Sequence, residues 1–430
     1  MSAIVASNKT ADSTTPRRSE HGGRAERTKA QIADAVITVL AEAGSSRLTH
    51  RRVATAANVS LAATTYHYAT KRDMIVDASH RLLDGYLQSF QFAAERRRRG
   101  LGETDLAGFV AKLMTNAAGR HRRAALAWCE IILDAARSPE GHMLASGWFR
   151  KLSEAWGDLA RAMYGEISEE SVASGIDTAI GLLFITLPLQ LSAEQLTAVF
   201  GGGGDPVELW APDAPVSDGE APVPARRTQK ARDTKARILR GAIDILIAQG
   251  AGAVTYNAVA GECGLTTAAP AYHFGSIEGL LKAAEAELFG RSKDRYRDMV
   301  TSAPITGKPL DTLADLTAAV FVREVTQHGR AAVAIYSIGL ESSRRLDLRP
   351  AVWNVVADQT GAWRRRLETL SPSVSPFDAM RMQAVFIGKQ VRVLAMGSPL
   401  AQLALAREAF RSEIASTLPR KAISNNSTSF

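Results

Sequence analysis

Apolar residues recur along the chain at helical spacing. Ile32, Val36, Val39 and Leu40 stand at i, i+4, i+7 and i+8, one face of a helix. The same spacing returns at Ile238, Ala242, Ile245 and Leu246. Gly44 and Gly250 close these stretches, as residues free to take positive φ. Thr49 and Thr255 then stand as N-caps of a second, short helix, whose inner face carries Val53, Ala54 and Ala57, or Val259, Ala260 and Cys263. Breaks at Asn58-Val59 and Gly264-Leu265 precede a third short helix. No run of alternating β-branched residues competes, so the pattern predicts an all-α chain.

Sliding the chain on itself extends the agreement. Thr28 falls on Thr234, Gly44 on Gly250, Thr49 on Thr255 and His67 on His273, each pair 206 residues apart with no insertion or deletion. A fainter echo at an offset of 207 aligns RAALAWCEIILDAAR (Arg123 to Arg137) with RAAVAIYSIGLESSR (Arg330 to Arg344), and Trp156 with Trp363. Self-similarity at a fixed period marks repeated structural units. Two tandem modules are expected, each a three-helix head followed by a helical bundle. The heads fall at 24–75 and 227–281 and the bundles at 76–200 and 282–418, with a disordered basic arm at 1–23 and a disordered tail at 419–430. Between them, 201–226 reads as a linker whose Gly and Pro content opposes regular structure. Its Gly run lacks the GK[ST] of a phosphate loop.

Two short helices joined by a tight turn, the second brief and rich in small and hydroxyl residues, form the helix-turn-helix pattern. The first crosses the DNA backbone, and the second lies in the major groove, where small side chains let its axis approach the base edges. In the first head the second helix starts at Leu61, Ala62, Ala63, Thr64 and Thr65, with Ser60 as its cap and Tyr66 and His67 next. Thr266, Thr267, Ala268, Ala269, Tyr272 and His273 form the second copy. Tyr68 and Phe274 are expected in the core. The first head also carries His50, Arg51, Arg52, Lys71 and Arg72, where the second has Tyr256, Asn257, Ala258, Ile277 and Glu278. Each neutralised phosphate contributes roughly 0.9 to the salt slope of DNA binding, so the second head is expected to bind more weakly. Lys230, Arg232, Lys235 and Arg237 remain on its first helix to touch a backbone. Pro270 is harmless there if Thr267 caps the helix, and costs a hydrogen bond if Thr266 does.

At these residues the chain resembles the tetracycline-repressor (TetR) family of bacterial transcriptional regulators. Thr28, Gly44, Thr49, Val53-Ala54, Val59-Ser60, His67, Tyr68, Lys71 and Met74-Ile75 carry the likeness, which covers about 50 residues per head. Thr65 departs from it, standing where an aromatic is usual; the second copy keeps Tyr272, His273 and Phe274 but has Ala271 and Ile277 at the places of Thr65 and Lys71. The resemblance implies a DNA-binding head on a helical domain that takes a small-molecule effector and pairs through its last long helices. It also implies one such unit per chain, whereas here there are two.

Composition narrows the alternatives. Lys and Arg number 52 against 44 Asp and Glu, and the net charge of +8 favours an anionic partner such as double-stranded DNA. Cys129 and Cys263 are too few for a disulfide framework, and no metal-ligand spacing, HExxH or GxSxG motif occurs, so no metal, cofactor or enzymatic activity is expected. The longest apolar run, Ala179 to Leu189, is short for a bilayer of about 20 helical residues and reads as a buried helix. MSAIVASNKTADSTTPRR has no long apolar stretch behind its basic residues and is not a secretory signal, so a cytoplasmic location is expected. Trp128, Trp156, Tyr336 and Trp363 are candidates for the wall of an effector pocket, with bundle core as the competing reading. The helices around Ser171 to Gln190 and Phe377 to Met396 are the expected pairing surfaces. The favoured reading is a ligand-responsive repressor acting as a single-chain pseudo-dimer on an asymmetric operator, with pairing of two chains left open. Activation of transcription, or a small-molecule or partner-binding protein with weakened DNA contact, are the alternatives.

Overall fold

The computed structural model describes residues 17–212, 228–302 and 309–418. Twenty α-helices and no strand occur among them. The first half of the chain runs α1 (Arg17–Ala43), α2 (His50–Ala57), α3 (Leu61–His67), α4 (Lys71–Arg98), α5 (Leu106–Ala118), α6 (Arg122–Ala135), α7 (Pro139–Tyr164), α8 (Glu169–Leu189), α9 (Ala193–Phe200) and α10 (Pro206–Leu209). The second half runs α11 (Gln229–Gln249), α12 (Tyr256–Cys263), α13 (Ala268–Phe274), α14 (Ile277–Ser302), α15 (Pro309–Thr326), α16 (Gly329–Glu341), α17 (Arg349–Leu370), α18 (Pro376–Ala395), α19 (Leu400–Ala404) and α20 (Ala406–Ser416). A 3-10 turn follows the first helix of each half, at Ser45–Arg47 and Ala251–Ala253.

Local chemistry sets these boundaries. Gly44 (φ +81°) and Gly250 (φ +84°) end α1 and α11 in a conformation that a side chain would strain. Thr49 and Thr255 accept the Arg52 and Ala258 amides to start α2 and α12, and Asn58 and Gly264 leave those helices in the left-handed region. Helix α1 begins inside the stretch expected to be an arm, while residues 1–16 and the expected tail at 419–430 lie outside the described residues. The linker expectation fails over its first part. Asp205 caps α10, Pro206 stands in its first turn, and Trp210 is fully buried with its indole N–H donated to the Gln195 carbonyl. One large aromatic outweighs the glycines around it, because burying such a side chain contributes roughly 1.5–3 kcal/mol. Residues 213–227 lie outside the described residues.

The two halves meet where α8 crosses α18. The crossing is reciprocal: Gly181 lies against the backbone of Ala384, and Gly388, 207 residues on, lies against the backbone of Asp177, itself 207 before Ala384. No side chain fits at either glycine, so the two backbones touch. Helix α8 is 21 residues long and apolar enough by length and composition to cross a membrane, longer than the apolar run suggested. Its most apolar window is 83% buried inside the protein, as the core-helix expectation requires.

The crossing also holds a charge cluster of one polarity. The fully buried Asp177 takes Arg392 through both oxygens, at 2.6 and 2.9 Å, and Lys389 at 3.1 Å. Burial opposes ionisation of Asp177, but the two cations outweigh it and hold the carboxyl below its usual range. At the positions 207 residues away stand Ala384, Ile185 and Leu182. Charge is thus built into one direction of the crossing only.

Candidate DNA-binding surface and effector cavities

In the first half, α1, α2 and α3 pack around Ile32, Val36, Leu40, Val53 and Ala57, and the matched residues Ile238, Ala242, Leu246 and Val259 do the same in the second. Helices α3 and α13 are thereby held as short rods at the surface. Ser60 accepts the Ala63 amide and caps α3. Tyr66 is 82% exposed and Tyr272 is 83% exposed, the same position in each copy. Each stands edge-on to the following ring, His67 or His273, at centroid distances of 5.1 and 5.2 Å. Leu61, Ala62 and Thr65, with Thr266, Thr267 and Ala268, complete the open faces, while Ala63 and Ala269 are half-buried.

Thr64 does not belong to that face. It is 0% exposed, and its hydroxyl donates to the Leu61 carbonyl at 2.8 Å. It fills the inner side of the turn, as the buried Pro270 does in the second copy. Pro270 is the third residue of α13, where a backbone N–H has no intrahelical acceptor, so its ring breaks nothing. Thr267 is the N-cap of α13, in helical conformation and without a side-chain capping bond, which is the boundary at which Pro270 is harmless. Thr65 donates its hydroxyl proton to the Leu61 and Ala62 carbonyls and offers DNA a methyl group and an acceptor oxygen. Tyr68 is buried and Phe274 is half-buried beneath Lys235, whose ammonium lies 5.1 Å from the ring centre.

Cations flank α3 more densely than α13. Arg51 and Arg52 are exposed at the start of α2, where the Thr49 hydroxyl accepts the Arg52 amide, and Lys71 is half-exposed at the start of α4. Arg72 turns away from this face, to Ser138 at 3.2 Å and Glu140 at 3.7 Å on the neighbouring helix start. In the second head Lys230, Lys235 and Arg237 are exposed on α11, and Thr234 is half-buried with its hydroxyl on the Lys230 carbonyl. Thr28 is half-buried on α1, and Thr255 is exposed at its cap.

Each head is gripped by the opposite half of the chain. Arg344, at the end of α16, donates to the Leu40 and Ala41 carbonyls that close α1, and to Glu130 of α6 at 2.8 Å. Glu130 also accepts the Ser45 amide at 2.9 Å, and Glu341 joins Arg47 to Arg344. The mirror contact is thinner. Arg137, 207 residues before Arg344, reaches the Ile247 carbonyl in α11 and Ser337, which stands where Glu130 does. The heads touch each other through their 3-10 turns, Ser46 against Gly250 and Gly252.

A cavity of about 590 Å³ opens in the first half and one of about 370 Å³ in the second. Trp128 and Trp156 line the larger and Trp363 the smaller. Tyr336 lines neither: it is packed edge-on to Phe184 and donates its hydroxyl to Gln390. It is a candidate as an aromatic of the bundle, and the competing reading, bundle core, fits its place against α8 and α18. Sequence reasoning left out Tyr86, Phe90, Phe109 and the rim arginines of the larger cavity. It also missed Arg81, which lines that cavity and shares one oxygen of Asp77 with the Tyr68 hydroxyl, at 3.1 and 2.7 Å. Burial and the Asp77 carboxylate push the Tyr68 phenol well above its usual range, so the hydroxyl remains a donor. The aligned Arg137 and Arg344 were the one legible sign of the cross-half grip.

The all-α body thus presents two exposed surfaces of helix-turn-helix form, one in each half. A protein-family model described as bacterial regulatory proteins, tetR family, matches residues 238–284, from the middle of α11 into α14, and supports a place for the chain in that family. The match falls on the head with fewer cations. No curated protein matches the chain.

Proposed function

We propose that the chain is a ligand-responsive repressor working as a single-chain pseudo-dimer, with DNA-binding heads at 24–75 and 227–281 and regulatory bundles at 76–200 and 282–418. The observation that carries the reading is the reciprocal Gly181 and Gly388 crossing, which pairs two halves of one design inside one chain. Asp177 favours this pairing over one between like halves of two chains. Two α8 helices would bury two carboxylates without cations, and two α18 helices would bury four cations without a carboxylate.

The first head supplies most of the affinity, through Arg51, Arg52 and Lys71, while Tyr272, Thr266 and Thr267 of the second read an unlike half-site. Tethering keeps the weaker head at an effective concentration of order millimolar. Ligand response runs through α6 and α4. Helix α6 lines the larger cavity with Trp128 and holds the first head through Glu130 and the second through Arg137. On α4, Arg81 lines the cavity and joins Asp77, to which the end of α3 is tied by Tyr68. A ligand that prefers one placement of these helices changes DNA affinity by that difference in preference.

Arg52→Ala combined with Lys71→Ala is expected to weaken mobility-shift binding to the DNA upstream of the chain's own gene. The slope of log affinity against log salt should flatten by roughly 1.8, at 0.9 per lost phosphate contact. Unchanged affinity and slope would remove the first head as the reader. Transcript levels in a deletion strain separate repression from activation: the controlled genes rise in the first case and fall in the second.

A further inference from the structure

The larger cavity has an apolar, aromatic interior and a rim of one charge. Phe90 and Trp156 lie 5.2 Å apart, Trp128 and Trp148 lie 5.5 Å apart, and all four rings line it. The Trp128 indole N–H has no acceptor among the described residues. Four cations border the cavity, Arg81, Arg96, Lys112 and Arg120, against the single carboxylate of Glu103. Glu103 is already matched by Lys112 at 3.0 Å, and Arg81 is matched by Asp77. Arg96 and Arg120 are different. Both are exposed; Arg96 lies over the Phe92 ring at 5.7 Å, and Arg120 donates to the Asn116 side-chain oxygen at 3.1 Å. Neither meets a carboxylate among the described residues.

From this we infer that the cavity takes a monoanionic, mainly apolar ligand of drug-like size, an aromatic or acyl carboxylate, with its body among the rings and its charge between Arg96 and Arg120. A volume of about 590 Å³ lies within the range of sites that bury such molecules. A cationic ligand would meet like charge at the mouth, and a neutral one would leave both guanidinium groups without a counter-charge. The inference rests on the effector-site reading of this cavity and names the class of effector.

The test uses the full chain free of DNA and isothermal titration with naphthylacetic acid and decanoic acid, each compared with its amide and with the amine of equal length. At least one carboxylate should bind about tenfold or more tightly than its amide, and the amine should bind more weakly still. Arg96→Glu with Arg120→Glu, both at exposed positions, should erase the carboxylate preference and favour the amine while leaving melting temperature unchanged. Ala125→Phe, which fills the cavity from α6, should abolish binding of every probe that binds the wild-type chain. Three results would overturn the proposal: amide or amine binding as tightly as carboxylate, a preference that survives charge reversal, or no binding by any probe. Because DNA is absent, failure here leaves DNA recognition standing, and failure to find an operator leaves this titration unaffected.

Discussion

Tyr68 closes the recognition helix of the first head and gives its hydroxyl to the same Asp77 oxygen that receives Arg81 from the cavity wall. Phe274 holds the matching place in the second head without a hydroxyl, so this tie exists on one side only. Tyr68→Phe keeps the buried ring and should cost about 1 kcal/mol in denaturant unfolding. It should also lessen ligand-driven release from DNA without changing ligand affinity, and release as large as in the wild type would break the proposed link. Glu285 makes a second prediction. It is buried on α14, and burial raises its carboxyl to about 7 although Arg345 pulls it down from 3.0 Å. A pKa above the ordinary value of 4.5 means that its favourable contribution is complete below about pH 4.5 and is lost as pH rises through about 7, by on the order of 3 kcal/mol. Glu285→Gln should therefore flatten the fall in melting temperature between pH 5 and 8, and an unaltered slope would contradict this account of the site.

At the scale of elements, the α8–α18 crossing decides how the halves meet. Removing Asp177 leaves Lys389 and Arg392 buried without a counter-charge, so Asp177→Leu should destabilise by about 3–5 kcal/mol in chemical denaturation. Replacing all three by apolar residues should recover that loss, and a single variant as stable as the wild type would show the cluster to be solvated. Much of the element order was legible: the repeat at 206 places the same caps and glycines twice, and local chemistry at Thr49, Gly44 and Asn58 determines where helices start and stop. What depends on contacts across the chain was not. Thr64 is expected on the same face as its neighbours, yet it occupies the inward position of a single helical turn. Trp210 hid in glycine-rich composition, and Gly181 and Gly388 carried no sign of the crossing, because close backbone approach is a property of two elements together.

At the scale of the molecule, the two heads are unequal in charge, in their grip on the body and in their tie to a cavity. The head whose second helix starts with Arg51 and Arg52 is the one held by Arg344, Glu130, Glu341 and Arg47, and it is the one joined through Asp77 to the larger cavity. The head that matches the family model keeps the fold with fewer cations. The division of labour we propose is that the first head supplies affinity and responds to ligand while the second adds sequence information. The central claim, one chain reading one site with two unlike heads, is tested most directly by sedimentation equilibrium of the chain bound to its labelled upstream DNA. The account predicts a complex of one chain per DNA at saturation, unchanged over a wide range of protein concentration. A complex of two chains per DNA, forming only as chains pair, would contradict it.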